Sequence, residues 1–132
     1  MKKKVLIVDD AAFMRMNIKR VLEPLDCELL EASNGQEGCM QFTSQPVDLV
    51  ILDISMPVMN GLEALKEMMR INNEVPVVMC SAIGQESQIV KAVQCGAREF
   101  IIKPFADEQL RKVVKNILHL YEVRVCCVNI RI

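Results

Sequence analysis

The hydrophobic and polar positions of the chain follow two patterns that alternate from one end to the other. Five short runs are almost wholly apolar, and five longer stretches place apolar residues three and four positions apart. The first pattern predicts β-strands, and the second predicts helices with one buried face. The predicted strands cover residues 5–8, 28–32, 47–52, 75–80 and 100–102.

The composition of these runs predicts how the strands are arranged. The first, third and fourth runs are rich in Val, Ile and Leu, which is typical of central strands covered on both faces. The second contains Glu28 and Glu31 and is typical of an edge strand. Strands that alternate with helices over short connections form a parallel sheet. We therefore predict an α/β, doubly wound, flavodoxin-like fold with five parallel strands in the order 2-1-3-4-5.

The helical stretches differ in strength. Apolar stripes that fit one helix face run through residues 14–25, 62–69 and 110–121. The second helix, predicted over residues 35–42, is weaker because Gly38 in a helix interior costs about 1 kcal/mol. The fourth is predicted over residues 85–94, where Ile89, Val90 and Val93 form a broad apolar sector. This sector can fill the core, or it can leave Ile89 or Val93 for a partner.

Composition and charge narrow the class of protein. The chain has 132 residues, 52% hydrophobic and 25% charged, which suits one domain with a sizeable core. The formal net charge is −1 and no basic stripe occurs, which argues against nucleic-acid binding. No apolar run approaches the roughly 18 residues of a membrane span, so we expect a cytoplasmic protein. The six cysteines lack the spacing of a zinc site.

Polar side chains stand where the predicted strands end. Asp9 and Asp10 follow the first strand, Asp53 the third, Ser81 the fourth and Lys103 the fifth. The first and third strands are neighbours in the predicted order, so the three carboxylates meet at the switch point of the sheet. Such crowding raises carboxylate pKa values unless a cation compensates. Mg²⁺, with Lys103 beside it, would suit these oxygen ligands and leave one carboxylate to attack a phosphoryl group.

A plainer interpretation exists for each of these residues alone. An Asp after a strand often caps the next helix, and Asp10 could cap a helix that begins near Ala12. We favour a functional site because the three carboxylates occur as a set, and a set of like charges is costly to bring together.

Four stretches of the chain resemble a known family. VLIVDDAAFMR, DLVILDISMPVMNG, VMCSAIGQ and GAREFIIKPF are similar to receiver domains of two-component response regulators, most of all to the CheY type found in chemotaxis. The resemblance covers roughly residues 3–120. It implies a phosphorylated regulator that is not a metabolic enzyme, although it would carry out its own Mg²⁺-dependent phosphorylation and dephosphorylation.

The resemblance also implies roles for the acidic residues. Asp53 matches the phosphoacceptor, and Asp9 and Asp10 match the acidic pair that holds Mg²⁺. By the same resemblance, Asp10 and Asp53 bind the ion directly, and the backbone carbonyl of Ser55 is the third protein ligand.

A further group of residues matches the switch of the family. Ser81 corresponds to the hydroxyl that binds the phosphoryl group, and Lys103 to the lysine that pairs with it. Pro104 follows a peptide bond that is usually cis. Phe100 matches an aromatic residue whose ring turns inward when Ser81 moves, into a space that the small Ala82 would allow. The alternative for Phe100 is a plain core aromatic.

The resemblance implies protein partners. A histidine kinase of the CheA type would donate the phosphoryl group. The surface of the fourth helix, fifth strand and fifth helix would bind a flagellar motor switch protein of the FliM type, with no nucleic acid and no membrane insertion. The alternative is a stand-alone phosphorelay intermediate that passes its phosphoryl group to a histidine phosphotransfer protein.

Two other classes share parts of this pattern. Phosphatases of the haloacid dehalogenase type also use an Asp nucleophile and Mg²⁺, but they place D-x-D after the first strand, whereas Asp9 and Asp10 are adjacent. Flavodoxin-like electron carriers share the predicted fold, but the same two carboxylates would repel the phosphate of FMN. Neither class fits as well as a receiver.

The sequence departs from the family at its end. We predict a receiver domain over residues 1–121 and an extension over residues 122–132. Residues 123–132 are mostly apolar and rich in β-branched residues, which predicts one added strand, with a bulge or two-sided burial where the apolar parity changes between Cys127 and Val128. An exposed strand pairs readily, so we expect it to join a sheet edge of its own molecule or to form a homodimer.

Overall fold

Strands and helices alternate along the chain in a computed structural model that describes residues 2–120, 122–125 and 128–131. A single 3₁₀ turn, Glu23–Leu25, follows the first helix. The strands are β1 (Lys4–Val8), β2 (Glu28–Ala32), β3 (Leu49–Asp53), β4 (Val77–Ala82) and β5 (Glu99–Lys103). The helices are α1 (Ala12–Leu22), α2 (Gly35–Ser44), α3 (Gly61–Ile71), α4 (Glu86–Gln94) and α5 (Asp107–Leu118).

The five strands form one parallel sheet in the order β2-β1-β3-β4-β5, which confirms the predicted topology. β2 lies at one edge, as its glutamates indicated, and β5 lies at the other. In the centre, Val8 of β1 pairs with Leu52 of β3, so these two strands end side by side. The strands whose apolar runs are continuous are therefore the ones that the sheet buries.

The core has two layers, one on each face of the sheet. Successive residues of a strand point to opposite faces, so Ile7 packs in the layer beneath α1 and α5, while Leu6 packs in the layer beneath α2, α3 and α4. Ile51 and Leu52 divide in the same way. Near-continuous apolar strands are what such double burial requires.

Two predicted strands begin later than their apolar runs. Val47 and Val75 belong to the runs but lie outside β3 and β4. Pro76 has no N–H to donate to a neighbouring strand, and β4 begins at the next residue. Before β3, the Asp48 carboxylate accepts a hydrogen bond from the Lys4 N–H (2.8 Å). Here a side chain takes the place of a strand partner.

The helix α2 extends two residues beyond its predicted end at residue 42. Asn34 caps its start, since the side-chain oxygen accepts a hydrogen bond from the Glu37 N–H (2.8 Å). Gly38 brings the helix close to the sheet, because a Cβ there would lie 2.9 Å from Val8 Cγ2. The glycine that weakens the helix in the sequence thus allows it to pack.

The C-terminal extension differs from the prediction. It forms two strands, β6 (Glu122–Val125) and β7 (Val128–Arg131), that pair antiparallel with each other in a separate two-stranded sheet. Val125 pairs with Val128, so the change of parity falls between two strands and is not a bulge within one. Within the described residues, the predicted pairing with an edge of the main sheet is therefore wrong.

A few predicted positions lie outside the described residues: Tyr121 in the stripe of the fifth helix, and Cys126, Cys127 and Ile132 in the added strand. Across the part of the chain that the structure describes, no helix has the length and apolar character needed to cross a membrane.

Candidate functional site

The three predicted carboxylates meet at the carboxyl ends of β1 and β3. Asp9 and Asp10 follow β1, and Asp53 is the last residue of β3. One carboxylate oxygen from each lies within 4.8 Å of the others. Asp9 and Asp53 are only 2% and 7% exposed, whereas Asp10 is exposed to solvent. The parallel sheet therefore brings together the acidic residues that the sequence placed at its strand ends.

Lys103 lies between the two buried carboxylates. Its Nζ donates to Asp9 Oδ2 at 2.8 Å and to Asp53 Oδ1 at 3.2 Å. Burial disfavours the charged lysine, but the hydrogen bond to Asp9 and the charges of Asp53 and Asp9 outweigh this, so the pKa of Lys103 is raised. The pKa of Asp53 is also raised, mainly by burial; Lys103 opposes this, while Asp9 and Asp10 add to it.

Each polar group of Asp9 is held by a different neighbour. Its N–H donates to the Ala32 carbonyl (3.1 Å), and its carbonyl accepts from Arg15 Nη1 (2.6 Å). Its Oδ1 accepts from the Ala11 N–H (2.9 Å), while Oδ2 accepts from Lys103. Asp9 is thus fixed in position by the protein itself.

Asp10 and Asp53 keep oxygen atoms available. Among the described residues, neither Oδ2 of Asp53 nor either carboxylate oxygen of Asp10 accepts a hydrogen bond. The plainer interpretation of Asp10 as the cap of α1 is wrong, because the residue before the helix is Ala11 and no side chain caps it. The carboxylate that turns back onto this loop is that of Asp9, which accepts from the Ala11 N–H.

These residues fit a hard divalent cation. The cluster offers carboxylate oxygens alone, which suit Mg²⁺ better than a soft metal. The three carboxylates repel one another, and the pKa of Asp53 is raised mainly by burial and in part by Asp9 and Asp10. A bound cation would relieve that repulsion. Asp10 and Asp53 have the unbonded oxygens to bind it. The Ser55 carbonyl remains a prediction as the third ligand.

Gly61, which was not identified from the sequence, packs against the backbone of Asp53. Its N–H donates to the Ile54 carbonyl (2.8 Å), and a Cβ there would lie 2.2 Å from the Asp53 carbonyl oxygen. Asn60 and Glu63 form a capping box at this point. The Asn-Gly pair followed by Glu63 is the sequence signal that could have marked the start of α3 and the tight approach.

Ser81 is fully buried inside β4, and its Oγ has no hydrogen-bond partner among the described residues. The register places it one residue beyond Cys80, which pairs with Asp53. Burial raises the pKa of the Cys80 thiol to about 12. A buried hydroxyl without a partner is uncommon and needs an explanation. A group that Ser81 binds only in another state of the protein would supply one.

The predicted switch also involves Ala82, which follows Ser81, and Phe100 on β5. The Ala82 N–H donates to Gln85 Oε1 (2.7 Å) at the start of α4. Phe100 is 41% exposed and belongs to neither core layer, so its interpretation as a core aromatic is wrong. The Lys103–Pro104 bond is cis, as predicted.

The apolar sector of α4 divides between core and surface. Ile89 is buried, which excludes it as a partner contact, but Val90 and Val93 are 57% and 53% exposed. Phe100 on β5 is exposed as well, and we call these three exposed apolar residues the α4–β5 face.

The fold and the site define a class of protein: a small doubly wound α/β domain with an acidic cluster at its switch point that could hold a cation, and a lysine from β5 paired with it. A family model for the response regulator receiver domain matches residues 5–115. The chain belongs to this family, whose members serve as phosphoacceptors in two-component signalling.

Relatives and solved structures are consistent with the CheY-like kind of receiver. The chain is 44% identical to chemotaxis protein CheY of Thermotoga maritima over 120 residues, covering 87% of this chain and 100% of that protein. It is 42% identical to CheY of Bacillus subtilis, with coverages of 90% and 100%. The CheY-like receiver of Methanospirillum hungatei has a TM-score of 0.86 at 26% identity, covering 90% of this chain and 95% of that one. For Vibrio cholerae CheY4 the TM-score is 0.83 at 27% identity, with coverages of 89% and 99%.

Proposed function

We propose that this protein is a cytoplasmic chemotaxis regulator that accepts a phosphoryl group on Asp53 and signals by changing shape. One observation carries the proposal. Asp53 is buried in an acidic cluster with one oxygen held by Lys103 and the other without a hydrogen bond from the described residues. Such a carboxylate is positioned, partly neutralised and available to react.

The reaction transfers a phosphoryl group from a phosphohistidine to the carboxylate of Asp53. A carboxylate oxygen of Asp53 attacks the phosphorus of a phosphohistidine. The O–P bond forms as the N–P bond breaks, and the imidazole nitrogen keeps the electron pair of that bond. Phosphoryl transfer needs mainly positioning and charge neutralisation. Lys103 supplies a positive charge 3.2 Å from Asp53 Oδ1.

Asp10, Asp53 and the Ser55 carbonyl would hold Mg²⁺, with Asp9 beside them. When bound, the ion neutralises charge that develops on the phosphoryl oxygens. The fixed hydrogen bonds of Asp9 keep the cluster in place for it.

Ser81 and Phe100 would convert phosphorylation into a change of surface. The unpartnered Ser81 Oγ gains a hydrogen-bond acceptor when a phosphoryl group is present on Asp53. Movement of Ser81 toward it opens space inside the sheet, and the exposed Phe100 ring turns into that space. The exposed ring corresponds to the unphosphorylated state.

The α4–β5 face would bind the target. Val90 and Val93 lie one turn apart on α4 and are exposed, as is Phe100 on β5, and exposed apolar residues of this size can mark a protein interface. We propose a histidine kinase of the CheA type as donor and a motor switch protein of the FliM type as target, since the relatives are named chemotaxis proteins.

Labelling with radioactive acetyl phosphate tests the acceptor. Wild type should be labelled in the presence of Mg²⁺, and Asp53→Asn should lose the label because the amide oxygen is a poor nucleophile. Asp26→Asn removes a carboxylate on the surface, paired with Lys2, and should leave labelling unchanged. Persistent labelling of Asp53→Asn would refute the assignment.

Capture of partners tests the output. Protein treated with beryllofluoride, a phosphoryl mimic, should retain a motor switch protein, and Val90→Ser with Val93→Ser should lose it. Met40→Ser changes an exposed residue of α2 and serves as the control. Retention of a histidine phosphotransfer protein instead would favour the phosphorelay alternative.

A further inference from the structure

Arg15, on α1, joins a residue of the acidic cluster to the neighbouring strand β2. Its Nη1 donates to the Asp9 carbonyl at 2.6 Å, and its Nε donates to Glu31 Oε1 at 3.1 Å. The arginine side chain is only 17% exposed. The planar guanidinium is suited to binding two acceptors in a fixed arrangement. One side chain thus connects the loop after β1 to the edge strand β2.

Glu31 is itself held in place by its neighbours. Its Oε2 accepts from Lys19 Nζ (2.9 Å), and its main-chain carbonyl accepts from Gln41 on α2. In the sheet it pairs with Ile7, two residues before Asp9. The acceptor that orients Arg15 is therefore tied to three elements of the fold.

The Arg15 contact matters because of the peptide group it touches. The Asp9 carbonyl belongs to the peptide bond that leads to Asp10. The Asp10 carboxylate accepts no hydrogen bond from the described residues, so no side-chain contact of that kind fixes it and its position depends on the backbone that carries it. The Asp9 N–H is fixed to Ala32 on one side, and Arg15 fixes the carbonyl on the side of Asp10.

We infer that Arg15 is a positioning residue for cation binding: by orienting the Asp9–Asp10 peptide, it holds the Asp10 carboxylate where Mg²⁺ can be shared with Asp53. This inference rests on the proposed function of the cluster as a Mg²⁺ site. Arg15 acts through the backbone and does not itself touch the cation.

The charge of Arg15 and its positioning role predict opposite changes in Mg²⁺ affinity when the residue is replaced. A positive charge near the cluster repels a divalent cation, so electrostatics alone predicts that Mg²⁺ binds more tightly when Arg15 is neutralised. If Arg15 acts by positioning, Mg²⁺ should bind more weakly when Arg15 is replaced, because the Asp9–Asp10 peptide loses its orientation. The sign of the change therefore distinguishes the two effects.

The experiment measures the dissociation constant of Mg²⁺ by calorimetry at 25 °C and constant ionic strength. Arg15→Gln and Arg15→Lys should each raise it on the order of tenfold, as is typical when a group that orients a metal ligand is removed. Arg15→Lys keeps the charge but cannot make both bonds. Lys19→Gln removes the other cation on Glu31 without touching Asp9, and its constant should stay within twofold of wild type.

Glu31→Gln provides a second test, since it leaves Arg15 in place but weakens its anchor. It should raise the dissociation constant by a smaller factor, and the melting temperature in EDTA will show that the variants are folded. Mg²⁺ should raise the melting temperature less in Glu31→Gln than in wild type, and least in the two Arg15 variants. Binding as tight as wild type in both Arg15 variants would overturn the inference and leave the proposed function intact. Absence of Mg²⁺ uptake by wild type would overturn both.

Discussion

Lys103 holds together two buried carboxylates that repel each other, and its removal should therefore be costly. Lys103→Met leaves Asp9 and Asp53 without their shared partner. Breaking a buried ion pair on one side typically costs about 3–5 kcal/mol. We expect a loss of that order in urea unfolding with EDTA, and a smaller loss with Mg²⁺, which replaces the missing charge.

Lys112→Met provides the control for Lys103→Met. Lys112 is an exposed lysine on α5, and its loss should change the free energy of unfolding by less than about 0.5 kcal/mol. Equal losses for Lys103→Met with and without Mg²⁺ would show that the lysine does not compensate the carboxylates.

Asp53 should lower the stability of the metal-free protein at neutral pH. Its pKa is raised in the folded state, so the unfolded chain releases this proton first as the pH rises. Stability is then lost from about pH 4, the ordinary range of Asp, up through the folded pKa. Asp53→Asn removes this loss and should be more stable by about 0.5–2 kcal/mol at pH 7 without Mg²⁺.

The difference between Asp53→Asn and wild type should vanish as the pH falls toward 4. Thermal melts at several pH values in EDTA measure it, with Asp26→Asn as an exposed control. A clear drop in the melting temperature of Asp53→Asn at pH 7 would contradict the crowding of carboxylates.

At the scale of single residues, the sequence predicted those site residues that stand at or directly after the end of a strand. Asp9, Asp53 and Lys103 are brought together by the parallel topology, which the hydrophobic pattern predicts. Arg15 and Gly61 could not be identified in the same way, because each acts on a backbone carbonyl. Which side chain reaches a given carbonyl depends on packing angles that the pattern does not contain.

At the scale of elements, the connection from β3 to α3 leaves no room for a side chain at Gly61. A side chain at Gly61 would meet the backbone of Asp53 and Ile54, which cannot move without moving the Asp53 carboxylate. We expect Gly61→Ala to lower the free energy of unfolding by about 1–3 kcal/mol, as overpacking does, and to slow labelling by acetyl phosphate.

Gly38→Ala is the matched substitution for Gly61→Ala. Its Cβ would meet the methyl groups of Val8, and the gain in helix propensity of roughly 1 kcal/mol offsets that contact. Denaturation of both variants should show the smaller loss for Gly38→Ala. If both lose stability equally and label normally, the contact of Gly61 with Asp53 has no special role.

Element boundaries were predicted less well than element types. Alternation of runs and stripes was enough to identify the strands and helices of the receiver. It did not show that Pro76 would delay β4, or that Asp48 would replace a strand partner before β3. The prediction for the C-terminal extension failed for a related reason, since a segment in which seven of ten residues are apolar fits one long strand or two short ones equally well.

For the molecule as a whole, the receiver sheet is complete without the extension. The five strands pair among themselves, and β6 pairs only with β7 among the described residues. A two-stranded sheet leaves two edges open, and edges favour association. We expect the full chain to self-associate, and deletion of residues 122–132 to give a monomer whose melting temperature is within a few degrees of the full chain.

Light scattering at several concentrations, with melting curves, tests this deletion. The Val90→Ser and Val93→Ser protein serves as a control that changes a different surface. A full chain that is monomeric at every concentration would leave the extension without a role in assembly. A large fall in melting temperature would show that it stabilises the receiver.

Cys80 has a consequence for the conditions under which this regulator can work. It pairs with Asp53 in the sheet, and its buried thiol has a pKa of about 12. Peroxide attacks thiolates and not thiols, and burial disfavours the thiolate of Cys80. A cysteine with a low pKa at this position could be oxidised to a sulfenic acid beside Asp53. We therefore expect Cys80 to react slowly with peroxide and to leave the proposed phosphorylation of Asp53 undisturbed.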